Sequence, residues 1–119
     1  MPVVGRCYEE AFWYLMNWGA PDMYLCHGVA LQETAPFVPY GHAWIEQGSR
    51  VIEVAGGSPR VSLKIIYYNK SGIRPAVVQR YTREQARTLA LQRRHYGPWD
   101  VTIGAALHHR DKTGRCINK

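Results

Sequence analysis

Negative charge is scarce in this chain: nine Asp and Glu stand against fifteen Lys and Arg among 119 residues, a formal balance of +6. The surplus lies after residue 59, in Arg74, Arg80, Arg83, Arg87, Arg93, Arg94 and the C-terminal end. Such an asymmetry suits an acidic partner, or no more than a soluble basic surface. Cysteine is sparse as well. Cys7, Cys26 and Cys116 form an odd set with no C-x-x-C spacing, which speaks against a disulfide scaffold and against structural zinc. No apolar run approaches the ~18 residues needed to cross a bilayer, so no membrane partner is expected. The opening MPVVGRCYEE lacks the charged start and apolar stretch of a signal peptide, and a cytoplasmic location is the expectation. Internal repeats and linker-like stretches are missing too. The expectation is therefore one α+β domain over residues 1–107, with a flexible basic tail over 108–119.

What the chain does have is aromatic surface, in four Trp and eight Tyr. A small domain gains most from burying such side chains, so most are read as core before any ligand role. Tyr8, Ala11, Phe12, Leu15 and Trp18 recur at helical spacing and stop at Gly19-Ala20-Pro21, which predicts a first helix over 8–18. Residues 23–31 read as a strand in which Gly28 marks a close approach. A loop over 32–41 follows. Two β-rich runs, 42–47 and 50–55, flank Gly48-Ser49, a pair suited to a type II′ turn, and predict a tight hairpin. A short helix over 62–69 closed by Gly72 and a strand over 76–79 come next. Thr82-Arg83-Glu84-Gln85 has the form of a capping box and predicts a helix from Arg83 to about Arg94, terminated by Gly97-Pro98. Residues 101–107 read as a last strand or loop.

Three residues within this frame carry the candidate chemistry. Cys7 falls at the start of the first helix, where unpaired backbone N–H groups and the helix dipole favour a thiolate and Arg6 adds a cation. A small apolar side chain packed at a helix start would read the same way on position alone. The hairpin sharpens the comparison, although taken singly His42 also reads as a structural histidine at a strand start and Glu53 as a solvated polar residue. With Gly48 and Ser49 as its loop, position 44 faces 53 and 42 faces 55, so His42 and Glu53 become diagonal neighbours on one face. Ala43, Ile45, Ile52 and Val54 then share the opposite, apolar face. A carboxylate on one imidazole nitrogen aims the other at a nucleophile, which makes His42 the base and Glu53 its orienting partner, with Trp44 beside both.

Gly5-Arg6-Cys7 opening a helix, Leu25-Cys26-His27-Gly28-Val29, the run Gly41-His42-Ala43-Trp44-Ile45-Glu46 and then Val51-Ile52-Glu53 together resemble the catalytic core of transglutaminase-like proteins, a branch of the papain-like thiol enzymes. The likeness covers roughly residues 5–57 and extends to small proteins of this type found in phages, to which Arg80-Tyr81-Thr82-Arg83-Glu84-Gln85 and His95-Tyr96-Gly97-Pro98-Trp99 are also similar. The resemblance implies a papain-like α+β core with a Cys-bearing helix packed on a small antiparallel sheet and a C-terminal helix. It implies a Cys7–His42–Glu53 triad, a protein or peptide substrate and no cofactor. Where the family has Asp followed by Pro, this chain has Glu53-Val54. The six residues before Cys7 contain no Gln of the kind papain-like enzymes use for the oxyanion, so the donors would be the Cys7 N–H and another group such as a Tyr or Trp side chain.

Arg6, Tyr8, His27 and Trp44 are the candidate cleft-lining residues. His27 reads either as a strand histidine bonded to backbone or as a polar group near Cys7, and a metal held by Cys7, His27 and His42 is disfavoured. Tyr67-Tyr68 reads as half core and half surface rather than a base-stacking pair. Arg83, Arg87 and Arg94 form a basic stripe on the last helix, solvated or in contact with phosphate. Two functions follow as expectations. One is a thiol hydrolase or acyltransferase acting on a peptide, isopeptide or glutamine-type amide. The other is a catalytically silent binding or inhibitor protein whose basic surface engages an acidic host protein, a nucleoprotein or nucleic acid, the last not favoured.

Overall fold

The computed structural model describes residues 6–100 and Ile103. Among them, three α-helices and five strands alternate as α1 (Cys7–Trp18), β1 (Met23–Leu31), β2 (Pro39–Gln47), β3 (Arg50–Glu53), β4 (Arg60–Leu63), α2 (Lys64–Ser71), β5 (Gln79–Tyr81) and α3 (Arg83–Arg93). The strands form one antiparallel sheet in the order β4-β3-β2-β1-β5. None of the described helices is long and apolar enough to cross a membrane.

Two-sided burial of the central strands organises this α+β fold. Residues 25–30 of β1 and 41–46 of β2 are buried without interruption, as expected where both faces of a sheet are covered. On one face, Leu25, Ala43, Ile45, Ile52 and Val54 pack with Tyr8, Ala11, Phe12 and Leu15 of α1 and Ala86 of α3. On the other, Cys26, Ala30, Trp44 and Val51 pack with Tyr67 and Tyr68 of α2 and with Ile73 and Val78. The helical spacing of Tyr8, Ala11, Phe12 and Leu15 is the one expected, whereas Trp18, expected on the same face, is 72% exposed at the end of the helix, and the Gly19 N–H closes α1 on the Leu15 carbonyl at 2.9 Å.

The β2–β3 hairpin has the expected register, with Gln47 opposite Arg50, Glu46 opposite Val51 and Ile45 opposite Ile52. Gly48 has φ of 59° and Ser49 is not among the positive-φ residues, the pattern of a type II′ turn. Gly28 of β1 lies against Trp44, and a Cβ there would sit 2.6 Å from the indole edge. The absent side chain is thus what lets the largest core residue lie flat on the sheet.

The chain departs from expectation in four places. The loop ends at residue 38, because β2 begins at Pro39 and its first residues pair with Ala30 and Leu31 of β1. Residues 60–63 form edge strand β4 against β3 instead of the start of a helix, and α2 begins only at Lys64. Residues 75–77 form a 3₁₀ turn begun by Pro75, whose fixed φ and missing N–H suit a helical first position, and the strand expected at 76–79 is displaced to Gln79–Tyr81. α3 carries both bonds of the expected capping box, Gln85 N–H to Thr82 Oγ1 at 3.1 Å and Thr82 N–H to Gln85 Oε1 at 2.9 Å. It stops at Arg94 in a left-handed conformation, ahead of Gly97-Pro98. The element expected over 101–107 lies outside the described residues except for Ile103, which is helical and buried, and the tail over 108–119 lies outside them altogether.

Candidate active site

Cys7 is the first residue of α1, and only 2% of it is exposed. Arg6 takes the N-cap position without a side-chain cap bond, so the first turn keeps N–H groups directed at its head. Arg6 itself is half exposed and pairs with Glu9 at 3.6 Å, a contact that water largely screens.

His42 and Glu53 come from neighbouring strands of the sheet. Continuing the β2–β3 register one step beyond Ile45 and Ile52 sets Glu53 opposite Trp44 and diagonal to His42. The side chains meet: His42 Nε2 lies 2.9 Å from Glu53 Oε2, with His42 only 3% exposed. The same carboxylate oxygen accepts the Tyr67 hydroxyl at 3.0 Å from α2. Burial pushes the Glu53 carboxyl up, but the His42 charge, the hydrogen bonds from His42 and Tyr67, and the Arg60 charge together outweigh it and hold the group below its ordinary range. The imidazole is also fixed from its flanks, by Tyr40 edge-on at 5.7 Å and Trp44 stacked at 6.0 Å, two residues away on either side.

Burial raises the Tyr67 hydroxyl far above its usual range, followed by the Glu53 charge and hydrogen bond, and the charges of Tyr40 and Cys7 add to the effect. α1 and α2 cover opposite faces of the sheet. From solvent, the His42–Glu53 pair is reached through a cleft of about 320 Å³ bordered by Glu33, Tyr40, Arg60 and Tyr67.

Trp44 is wholly enclosed and backs this site. Its indole N–H donates to Glu46 Oε2 at 3.0 Å, and Glu46, itself buried, also accepts the Tyr68 hydroxyl, Arg80 Nε at 2.8 Å and Lys64 Nζ at 3.3 Å. Burial alone would raise the Glu46 carboxyl; the Tyr68, Trp44 and Arg80 hydrogen bonds and the Arg80 charge bring it below the ordinary range. Consecutive tyrosines of α2 thus each hold one carboxylate of the hairpin. Sequence reasoning missed Tyr67, Glu46, Tyr68 and Arg80. Strand alternation does place Glu46 on the face of His42 and Trp44, and a carboxylate on a face built around an indole was the signal available.

His27 projects to the other face of the sheet from His42, beside Tyr8, Tyr81 and Trp99, whose ring centres lie 4.9, 5.2 and 5.0 Å away. It is fully buried, and neither ring nitrogen has a hydrogen-bond partner among the described residues, so the expected backbone bond is not made there. Burial, then the charges of His95 and His42, lower its pKa to about 3, which leaves a neutral ring in an aromatic cage. His27 and His42 leave opposite faces of the sheet. Among the described residues no group of three or more His, Cys, Asp or Glu is placed to hold a metal ion. Cys26 is buried with its thiol pushed well above the ordinary range by desolvation and by the Glu46 charge, which makes it inert. Arg83, Arg87 and Arg94 border a different depression, between α1 and α3.

Compared with known proteins, the chain matches no family model, no curated protein and no solved structure.

Proposed function

We propose that the chain is a thiol-dependent hydrolase or acyltransferase, with a transglutaminase-like form of the papain-like core, that acts on a peptide, isopeptide or glutamine-type amide. The observation that carries this reading is the part-buried 2.9 Å contact between His42 Nε2 and Glu53 Oε2. With Nε2 committed to the carboxylate, Nδ1 is the nitrogen that exchanges a proton with the thiol. The Cys7 sulfur attacks the amide carbon, forming a C–S bond as the carbonyl π pair moves onto oxygen. The Cys7 N–H at the helix head supports that oxygen. As the tetrahedral adduct collapses, the C–N bond breaks and the amine leaves with the proton His42 took from the thiol. Water or a second amine then attacks the thioester, gives a proton to His42, and the sulfur departs as thiolate. Glu53 keeps the imidazole oriented and stabilises its protonated form throughout.

The test is intact-mass analysis of the chain after incubation with peptide amides, isopeptides and glutamine amides. An acyl adduct on Cys7 with release of the amine is expected, and both disappear in C7S. No adduct and no released amine with any of the three substrate types would contradict the proposal.

A further inference from the structure

Away from His42, α1 and α3 enclose a groove of about 720 Å³. Phe12, Trp13 and Met16 of α1 face Ala90 and Leu91 of α3, and Tyr96 closes one end. Two of these residues are far from hidden: Trp13 is 44% exposed and Leu91 is 74% exposed. Arg83, Arg87 and Arg94 stand along the α3 side as exposed side chains, with Glu84 the one carboxylate of the lining. The Arg83 guanidinium is fixed across the groove by a 2.6 Å hydrogen bond to the Met16 carbonyl.

We infer that this groove is a docking site for an acidic amphipathic helical segment of a partner protein. Its dimensions fit that occupant. The α3 wall, Arg83–Arg93, runs eleven residues, ~16 Å or about three helical turns, the span over which a docked helix presents apolar anchors at i, i+3 or i+4, and i+7. Charge selects it further. Arg87 and Arg94 on the α3 rim complement carboxylates on the polar face of the incoming helix, Arg83 adds its charge where it reaches Met16, and the partner's apolar face is what Met16, Ala90 and Leu91 require. The lining mixes rings at Phe12, Trp13 and Tyr96 with aliphatic side chains at Met16, Ala90 and Leu91, a combination that suits the apolar face of a helix, whereas stacked bases would use the rings alone. The chain's own residues 104–119 are an unsuitable occupant, with Arg110, Lys112, Arg115 and Lys119 against Asp111 alone. A second copy would bring another balance of +6. This site stands independently of the thiol chemistry.

Selection from a random library of peptides about 16 residues long, ~24 Å as helices, against the full chain tests the inference. Enrichment of peptides with helically spaced large apolar residues and net negative charge is expected, with affinity that falls as salt is added. L91E and R87E should each weaken the best peptide about tenfold. A peptide with the facing Glu changed to Lys should recover binding to R87E, which a purely structural effect would not give. Both substituted side chains are exposed, and equal melting temperatures would verify folding. No enrichment over a control surface, basic consensus peptides, peptide binding unaffected by either substitution, tighter binding of an oligothymidylate, or self-association that L91E abolishes would each overturn the assignment.

Discussion

The Tyr67 hydroxyl meets Glu53 Oε2 at 3.0 Å, on the same oxygen that His42 Nε2 engages. Two donors from different elements, one on β2 and one on α2, converge on one half-buried acceptor, so the carboxylate cannot turn away from the imidazole without losing both. The longer reach of Glu compared with Asp is used up in this geometry. The strand places the carboxyl near His42, and the tyrosine fixes which oxygen is presented.

Tyr67→Phe removes one donor and keeps the ring against Trp44. A loss of about 1–2 kcal/mol in unfolding free energy is expected by denaturant titration, because the carboxylate loses a hydrogen bond it made to a buried neutral donor. The Glu53 carboxyl should titrate at higher pH than in the parent chain, as carbon-detected NMR would show.

Glu46→Ala should be the more damaging change at the hairpin. It leaves the Trp44 indole N–H and the Tyr68 hydroxyl without their acceptor and Arg80 without its counter-charge. About 2–4 kcal/mol of destabilisation is expected, mostly from the two buried donors left without an acceptor, because Arg80 is 40% exposed and its charge is taken up by water. A variant as stable as the parent would show that this network does not support Trp44.

Acid should unfold the protein in a window that His27 helps to set. Its folded pKa is about 3 against an ordinary 6.5, so the folded state refuses a proton that the unfolded chain accepts. Its contribution is fully present above pH 6.5 and is lost as the pH falls toward 3. Between pH 8 and pH 5 this amounts to about 2 kcal/mol. Glu46 and Glu53 act in the same direction at lower pH, since carboxyls held below their ordinary range stabilise the fold until they protonate. His27→Phe should flatten the pH 5–8 part of the stability profile measured by thermal melts. An unchanged slope would mean that the caged ring is not the group that titrates.

The parts of the site carried by short-range rules were legible in the sequence. Gly48-Ser49 sets the hairpin register, and the register makes His42 and Glu53 diagonal neighbours. Alternation sends Ala43, Ile45, Ile52 and Val54 into the α1 side of the core, and Gly28 marks the approach of Trp44. β4 was illegible because its apolar residues Val61 and Leu63 point to solvent at 63% and 49% exposure, so no buried face patterns the strand. Pro75 stood at the head of a turn rather than ahead of a strand. The roles of Tyr67 and Tyr68 depend on where α2 docks across the sheet, a tertiary fact that no local pattern in Lys64–Ser71 encodes. The sequence around His27 suggests a strand histidine bonded to backbone or a polar group near Cys7, whereas the rings that enclose it come from α1, β5 and the segment after α3.

The rate of iodoacetamide alkylation at Cys7 as a function of pH, followed by peptide mass spectrometry beside Cys26 and Cys116, tests the central claim most directly. In the parent chain Cys7 should react fastest, with a midpoint well below the ~8.5 of an ordinary thiol; His42→Ala should move that midpoint up and Glu53→Gln should move it part of the way. Cys7 reacting no faster than Cys116, or with a profile that His42→Ala leaves in place, would contradict the account.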